Sequence, residues 1–333
     1  MTLYRNILKE SFQMIWKRKH LWFFGFFAAF LGSFLELEIL FNKIDGVFIQ
    51  RFVNNLQSIK ETGILSGSAF FNFINLFKTE PVSMVIMLAI FLIILALFCF
   101  LVWLTVISQI GLVNNSSRFL KNKTKDEPGI QEGVEAGIKS FWPVFFINII
   151  IKVLLYSIFL CLSFLIFYVA YTSLEVKILV LNMILFIIFV PLALILAFIA
   201  KFAICYIVIE KNSFSQAIRN AFSLFAKNWL VSVEMAFILF IISFIVSLLI
   251  LVVSFIISLP ILLILNLLLL YSGALLGFWI FVIGVLILAI FVAVAGAALS
   301  AFRIVAWTDF FVKLNSSQGG LSKILRLASQ IKK

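Results

Sequence analysis

The feature that most restricts the fold of this chain is a series of long apolar runs that contain almost no charged residues. A run of about 20 apolar residues crosses a ~30 Å hydrocarbon core as a helix. Lipid offers no hydrogen-bond partner to a bare backbone, so helices are the expected form of every run. Only 12% of the residues are charged, against about 25% in soluble proteins. The sequence therefore predicts an all-α, polytopic membrane protein.

A second feature is a short pattern that occurs three times. Each copy is a cationic, amphipathic stretch that continues directly into an apolar run, with Trp at the junction. The copies are Leu8–Trp22, Ile130–Trp142 and Phe214–Trp229. We expect three repeats, each consisting of an interfacial amphipathic helix followed by a membrane-spanning helical hairpin.

The repeats divide a single membrane domain, residues 1–333, into six predicted spans. Repeat 1 covers 1–107, with spans at about 21–40 and 82–107. Repeat 2 covers 129–201, with spans at about 141–171 and 178–201. Repeat 3 covers 212–302, with spans at about 229–258 and 275–301, and 303–333 form a basic tail.

Segment 259–276 is the ambiguous part of this division. It is apolar but contains Pro260, and we interpret it as an outer turn plus the start of the sixth span. A re-entrant segment or a further span is the alternative. About 12 residues, 260–271, are too few for a complete crossing.

The basic residues indicate the orientation. With six spans, twenty Lys and Arg residues lie on the side of the two termini and five lie on the opposite side. Cytoplasmic loops collect Lys and Arg, so both termini are predicted to be cytoplasmic, in a multi-pass protein of the cell membrane. This distribution explains the net charge of +12 without nucleic acid as a partner.

The amphipathic stretches predict contacts at the inner membrane surface. In the third copy an apolar stripe runs from Phe214 through Ile218, Ala221 and Phe222 to Phe225. In the second copy Ile130, Val134, Ile138 and Phe141 form a narrower stripe, and 321–328 in the tail repeat the pattern. The basic faces are candidate contacts for anionic lipid headgroups or for a membrane protein partner. The alternative is that the stripes pack on the protein's own spans. The candidate contact residues are Lys17, Arg18, Lys19, Arg219, Lys227, Lys323 and Arg326.

Two charged residues fall within predicted spans. Lys152 in the third span and Glu234 in the fifth are costly in lipid and are predicted to form a buried pair. The alternative is that each side chain extends separately to the interface. In the sixth span, Ala293, Ala297 and Ala301 recur every four residues, which favours close helix packing inside the bundle.

Residues that could serve in catalysis or metal binding are few. The chain has one histidine, His20, and three cysteines, Cys99, Cys161 and Cys205, which lie in or beside apolar runs. The aspartates Asp45, Asp126 and Asp309 lie in predicted loops or at a span edge, which does not suit intramembrane aspartyl proteolysis. We therefore expect no catalytic, metal or cofactor site, and no enzymatic activity.

The stretch YIVIEKNSFSQAIRNAFSLFAKN, Tyr206–Asn228, followed by Trp229 and a span, resembles a motif of bacterial integral membrane families of unknown role. These families are grouped with the membrane domain of some glycerophosphodiester phosphodiesterases, and Trp16–Gly32 has a similar character. The resemblance implies a six-helix membrane module that is sometimes fused to a lipid-headgroup enzyme. The soluble phosphodiesterase domain has no counterpart here. We expect a structural, scaffold or accessory protein, linked to lipid or envelope maintenance; the alternative is a small-molecule or lipid transporter.

Overall fold

The computed structural model describes residues 2–32, 79, 81–122, 129–172, 175–271 and 274–316. These residues form nine helices and no strand. The helices are α1 (Thr2–Lys17), α2 (His20–Gly32), α3 (Pro81–Asn122), α4 (Ile130–Lys139), α5 (Phe141–Thr172), α6 (Glu175–Ile209), α7 (Phe214–Lys227), α8 (Trp229–Tyr271) and α9 (Ala274–Asn315).

Five of these helices, α3, α5, α6, α8 and α9, are long and apolar enough to cross a membrane. Helix α2 is also apolar but is described only as far as Gly32. The chain is thus an all-helical, multi-pass membrane protein, as the apolar runs predict. Residues 33–40 of the first predicted span, and the predicted tail helix at 321–328, lie outside the described residues.

The long helices extend beyond the predicted spans, and one predicted turn is wrong. Helix α8 continues through Pro260 to Tyr271, where the sequence suggested an outer turn beginning at 259. A proline removes one backbone donor, and a membrane helix can still continue through it. Helices α3, α6 and α9 likewise continue beyond the ends of their predicted spans, to Asn122, Ile209 and Asn315. The first residues of the predicted basic tail are therefore the last turns of α9.

Three short helices each precede a long or apolar helix across a very short break. Arg18 and Lys19 separate α1 from α2, Ser140 separates α4 from α5, and Asn228 separates α7 from α8. At the last break the Asn228 side chain donates a hydrogen bond to the carbonyl of Leu224 at 3.1 Å. Its own carbonyl accepts one from the backbone of Ser232 at 3.0 Å. The helices are interrupted at these positions, and backbone hydrogen bonds continue on either side of each break.

The described chain forms two compact units. Unit 1 comprises Met1–Ser33, Thr105–Ile147 and Phe198–Lys333, and unit 2 comprises Phe34–Leu104 and Asn148–Ala197. The short helices α1, α4 and α7 all belong to unit 1, together with α2, α8, α9 and the last turns of α3 and α6. Unit 2 contains the first part of α3, most of α5 and the first part of α6. Its α3 side chains, such as Phe91 and Ile93, are mostly exposed, as expected of a surface that faces lipid.

Unit 1 is built around α9. Helix α2 packs on α9 at Gly25, where a Cβ atom would overlap the carbonyl oxygen of Ala297 and lie 2.8 Å from the Cβ of Ala301. Ala297 and Ala301 are buried, which confirms the close packing that their spacing predicts. Small residues allow two membrane helices to approach in this way, and dispersion contacts then hold them together.

The directions of the helices follow from their contacts in unit 1. In α2 and the turn before it, Arg18 contacts Phe119 and Phe24 lies at Gly111, so α2 and α3 are antiparallel. In α6, Phe198 contacts Trp307 and Tyr206 contacts Phe311, so α6 and α9 are parallel. The first turns of α2 and the last turns of α3 therefore lie at one end of unit 1. The short helices pack at this end, which we call the junction end.

Candidate functional site

An aromatic cluster at the junction end holds α6, α7 and α9 together. Phe225 of α7 stacks on Phe198 of α6 at 5.3 Å between ring centroids, and Phe198 lies 5.6 Å from Trp307 of α9. The cluster continues through Phe202 and Tyr206 of α6, which contact Phe310 and Phe311 of α9. Its members on α9 are 0–8% exposed. This part of the junction end is a closed apolar core, and aromatic pairs of this kind add to the stability that burial provides.

Helix α1 is attached to the junction end by polar contacts at several points. The Tyr4 hydroxyl donates a hydrogen bond to the carboxylate of Glu234, in the second turn of α8. Lys313 of α9 donates to Glu10 at 2.8 Å and to Asp309 at 3.0 Å. Asp309 is only 1% exposed, and the ammonium of Lys313 provides the charge that a buried carboxylate requires.

The second short helix, α4, packs on its neighbours through its glycines. A Cβ atom at Gly133 would lie 2.8 Å from the ring of Phe24, and one at Gly137 would lie 3.1 Å from the Cα of Ile107. The Asn115 side chain of α3 donates to the carbonyl of Gly129 at 3.2 Å, just before α4 begins. The absence of side chains at the two glycines is what allows α4 to approach this closely.

The buried faces of α4 and α7 differ from the predicted apolar stripes. In α4 the buried residues are Gly133 and Gly137, whereas Ile130 and Ile138 are 44% and 56% exposed. In α7, Ala217, Ala221 and Phe225 are buried, whereas Phe222 is 58% exposed. These exposed members of the predicted stripes do not pack on the protein, because backbone-to-backbone approach selects the face with small residues rather than the most apolar face. Their contact with the membrane surface stays a prediction. Part of each stripe, Val134 and Phe225, does pack on the protein itself.

The predicted cationic contacts fall into different environments. Lys17, Lys19, Arg219 and Lys227 are exposed at the junction end. Arg18 is 8% exposed, and its guanidinium lies over the ring of Phe119 at 4.2 Å from the centroid. A cation in this position stabilises the packing of the α1–α2 turn on α3. Lys323 and Arg326 lie outside the described residues. A role of these cations in lipid or partner binding stays a prediction.

Lys152 and Glu234 belong to different units. Lys152 is partly exposed on α5 in unit 2, and Glu234 is partly exposed on α8 in unit 1, where it accepts the hydrogen bond from Tyr4. The sequence did not indicate the Tyr4 contact, because the two residues are 230 positions apart. The Lys152–Glu234 pair stays a prediction. The Asp309–Lys313 bond has the i, i+4 spacing of a helical ion pair, and that signal was available in the sequence.

Groups that hold metals or react as nucleophiles are sparse in the described part of the chain. No cluster of three or more His, Cys, Asp or Glu residues is found there that would hold a metal ion. Cys99 and Cys161 are exposed and Cys205 is buried. The expectation that the chain has no catalytic, metal or cofactor site stays a prediction of the sequence.

Comparison with protein-family models, with curated proteins and with solved structures finds no match. The fold alone therefore defines the class of protein, a multi-pass α-helical membrane protein. The resemblance to the membrane domain of glycerophosphodiester phosphodiesterases stays a prediction of the sequence.

Proposed function

We propose that this chain is a non-enzymatic scaffold or accessory protein of the cell membrane. In this proposal it crosses the membrane six times as three repeated hairpins, with both termini and the junction end in the cytoplasm. The charge distribution supports this orientation, because it places twenty of the basic residues on the cytoplasmic side.

The observation that carries the proposal is the closed packing of the junction end. The rings of Phe198, Phe225 and Trp307 fill the space between α6, α7 and α9, and the last turns of α9 are buried. A carrier that alternates its access needs elements at this end that separate and close again. A closely packed aromatic core favours a rigid platform over a carrier of this kind.

The exposed face of α7 is the proposed docking surface of this platform. Arg219 and Lys227 lie there beside Gln216 and Asn220, and all four residues are exposed. Because the opposite face is packed through Ala217 and Ala221, changes on the exposed face leave the fold intact. The proposed ligands are anionic lipid headgroups or an acidic segment of a membrane partner, in keeping with a role in lipid or envelope maintenance.

The proposal is tested by extracting the full chain from cells in polymer nanodiscs and identifying what accompanies it by native mass spectrometry. We expect a bound lipid or protein that is lost from the double variant Arg219→Gln/Lys227→Gln. The matched control, Gln216→Ala/Asn220→Ala, changes the same face without removing charge and retains the bound species. A wild-type protein that emerges alone, free of lipid and partner, contradicts the scaffold function.

A transporter gives a different result in the same preparations. Counterflow in vesicles that contain the purified chain detects transport of a small molecule directly. Transport that persists in Arg219→Gln/Lys227→Gln would replace the scaffold proposal with the transporter alternative.

A further inference from the structure

Helix α1 has two different faces, of which only one packs on the protein. Ile7, Ser11 and Met14 are 0–3% exposed and form the packed face. On another side of the helix Phe12 is 59% exposed and Trp16 is 65% exposed, with their rings stacked at 6.0 Å. Arg5 and Lys9 are exposed as well. At 100° per residue these four residues occupy an arc of about 60°, roughly opposite the packed face. We call them the α1 strip.

The contacts of α1 place this strip beside the beginnings of two apolar helices. Near one end of α1, Tyr4 bonds to Glu234, the sixth residue of α8. Near the other end, Trp22, the third residue of α2, donates to the carbonyl of Ile15 at 3.0 Å and lies 6.1 Å from the ring of Trp16. Both ends of α1 are therefore tied to the first two turns of apolar helices.

Lipid-facing surface follows directly after these turns. Phe23 of α2 is 49% exposed, and Phe237 of α8 is 63% exposed. The α1 strip thus lies next to surface that the hydrocarbon covers, at the level where the apolar helices begin.

The composition of the strip distinguishes lipid from protein as its occupant. Stacked Trp and Phe rings settle among headgroups, and Arg and Lys beside them lie at the level of the phosphates. A protein partner that covered the strip would have to desolvate both cations, which is costly without paired acids. We propose that the α1 strip binds anionic phospholipid, with Phe12 and Trp16 inserted between headgroups and Arg5 and Lys9 on the phosphates. The lipid-binding proposal rests on the position of the junction end at the membrane surface, which is part of the proposed function. It does not depend on the scaffold role.

The depth of the strip is measured on the full chain in vesicles. In a background with Cys99, Cys161 and Cys205 replaced by serine, a bimane fluorophore is attached at Phe12→Cys, and at Lys9→Cys as a second position in the strip. Gln13→Cys, exposed on the same helix outside the strip, is the matched control. We expect brominated lipid to quench the strip positions and aqueous iodide to quench the control. Equal quenching by iodide at all three positions overturns the proposal, and so does protection of the strip from both quenchers, which indicates a covering protein.

The preference for anionic lipid is measured separately, with spin-labelled phosphatidylglycerol added to phosphatidylcholine vesicles. Removing charge with Arg5→Gln/Lys9→Gln is expected to lower the preference for phosphatidylglycerol about fivefold for each charge, since each basic residue near the surface contributes about 1 kcal/mol. Lys211→Gln, an exposed cation in the turn before α7, is expected to leave it unchanged. An unchanged preference in the double variant overturns the lipid assignment. Loss of the species bound at Arg219 and Lys227 would instead bear on the scaffold function, so the two failures are distinguishable.

Discussion

Lys313 determines the environment of two carboxylates at once. Its ammonium lies 2.8 Å from Glu10 on α1 and 3.0 Å from Asp309 on α9, and Asp309 is 1% exposed. The bond to Glu10 is largely exposed and contributes little, because water competes for both charges. The bond to Asp309 matters more, because that carboxylate has almost no access to water.

Replacing Lys313 by methionine is expected to destabilise the protein by about 2–4 kcal/mol, since it leaves a buried carboxylate without its cation. The double variant Lys313→Met/Asp309→Asn is expected to recover part of this loss. Thermal unfolding in detergent measures both variants, with Lys211→Met as the control for loss of a surface cation. A single variant as stable as the wild type would show that Asp309 does not depend on Lys313.

Tyr4→Phe removes one hydrogen bond to Glu234 and is expected to cost about 1–2 kcal/mol, because the acceptor is a carboxylate. Tyr156→Phe, at a half-exposed tyrosine of α5, is the matched control and is expected to be neutral. No effect of Tyr4→Phe would show that the Tyr4 contact does not stabilise the protein.

The predicted Lys152–Glu234 pair is tested in the same assay by a double-mutant cycle of Lys152→Met and Glu234→Gln. A coupling energy near zero in that cycle would show that the two residues do not form a pair.

At the scale of elements, the packing of unit 1 depends on positions that lack side chains. Gly25 allows α2 to reach α9, and Gly133 and Gly137 allow α4 to reach α2 and α3. In the membrane little water is excluded when helices associate, so close approach and dispersion provide most of the stabilisation. This explains why α4 buries its glycines and leaves Ile130 and Ile138 exposed.

Gly25→Ala is expected to destabilise the protein by about 1–3 kcal/mol, because the added methyl group must displace the backbone of α9 at Ala297. Gly296→Ala is a matched control within α9, since a Cβ atom there meets nothing within 4 Å. It is expected to be neutral or slightly stabilising, as alanine favours helix more than glycine does. Thermal unfolding of the two variants in the same detergent gives the comparison, and equal melting temperatures would show that α2 and α9 do not need this close approach.

At the scale of the whole molecule, the number of membrane crossings sets the topology. Five described helices are long enough to cross the membrane, and α2 begins as an apolar helix that the structure describes to Gly32. The number of crossings determines whether the basic residues after α9 lie on the same side as α1. Six crossings place these basic residues on the same side of the membrane as α1.

We expect Gly129→Cys and Lys211→Cys to react with an impermeant maleimide only after the cytoplasmic side is opened. Glu175→Cys is expected to react from the outside of intact cells. The background lacks Cys99, Cys161 and Cys205, so each signal comes from one position. Labelling of Gly129→Cys and Glu175→Cys from the same side would exclude the hairpin formed by α5 and α6 in the proposed topology.

Much of the fold was predictable, because every backbone N–H and C=O group in the hydrocarbon has to form its hydrogen bond within the protein. The starts of α5 at Phe141 and α8 at Trp229 match the predicted spans, and so does the close packing at Ala297 and Ala301. The turn at Pro260 was wrong, because a proline in lipid does not have to end a helix. The candidate site was less predictable, because Tyr4–Glu234 and Glu10–Lys313 join residues 230 and 303 positions apart.

The sequence by itself determined that the chain is a multi-pass helical membrane protein, because long uncharged runs leave the backbone no other way to satisfy its hydrogen bonds in lipid. Only the tertiary structure decided which face of each short helix is buried and which is exposed. Apolar periodicity does not distinguish a face that packs on protein from one that faces lipid, since both environments favour the same side chains. The packing of α4 through Gly133 and Gly137 and the exposure of the α1 strip both depend on how closely neighbouring helices approach each other. That distance is a property of the assembled unit.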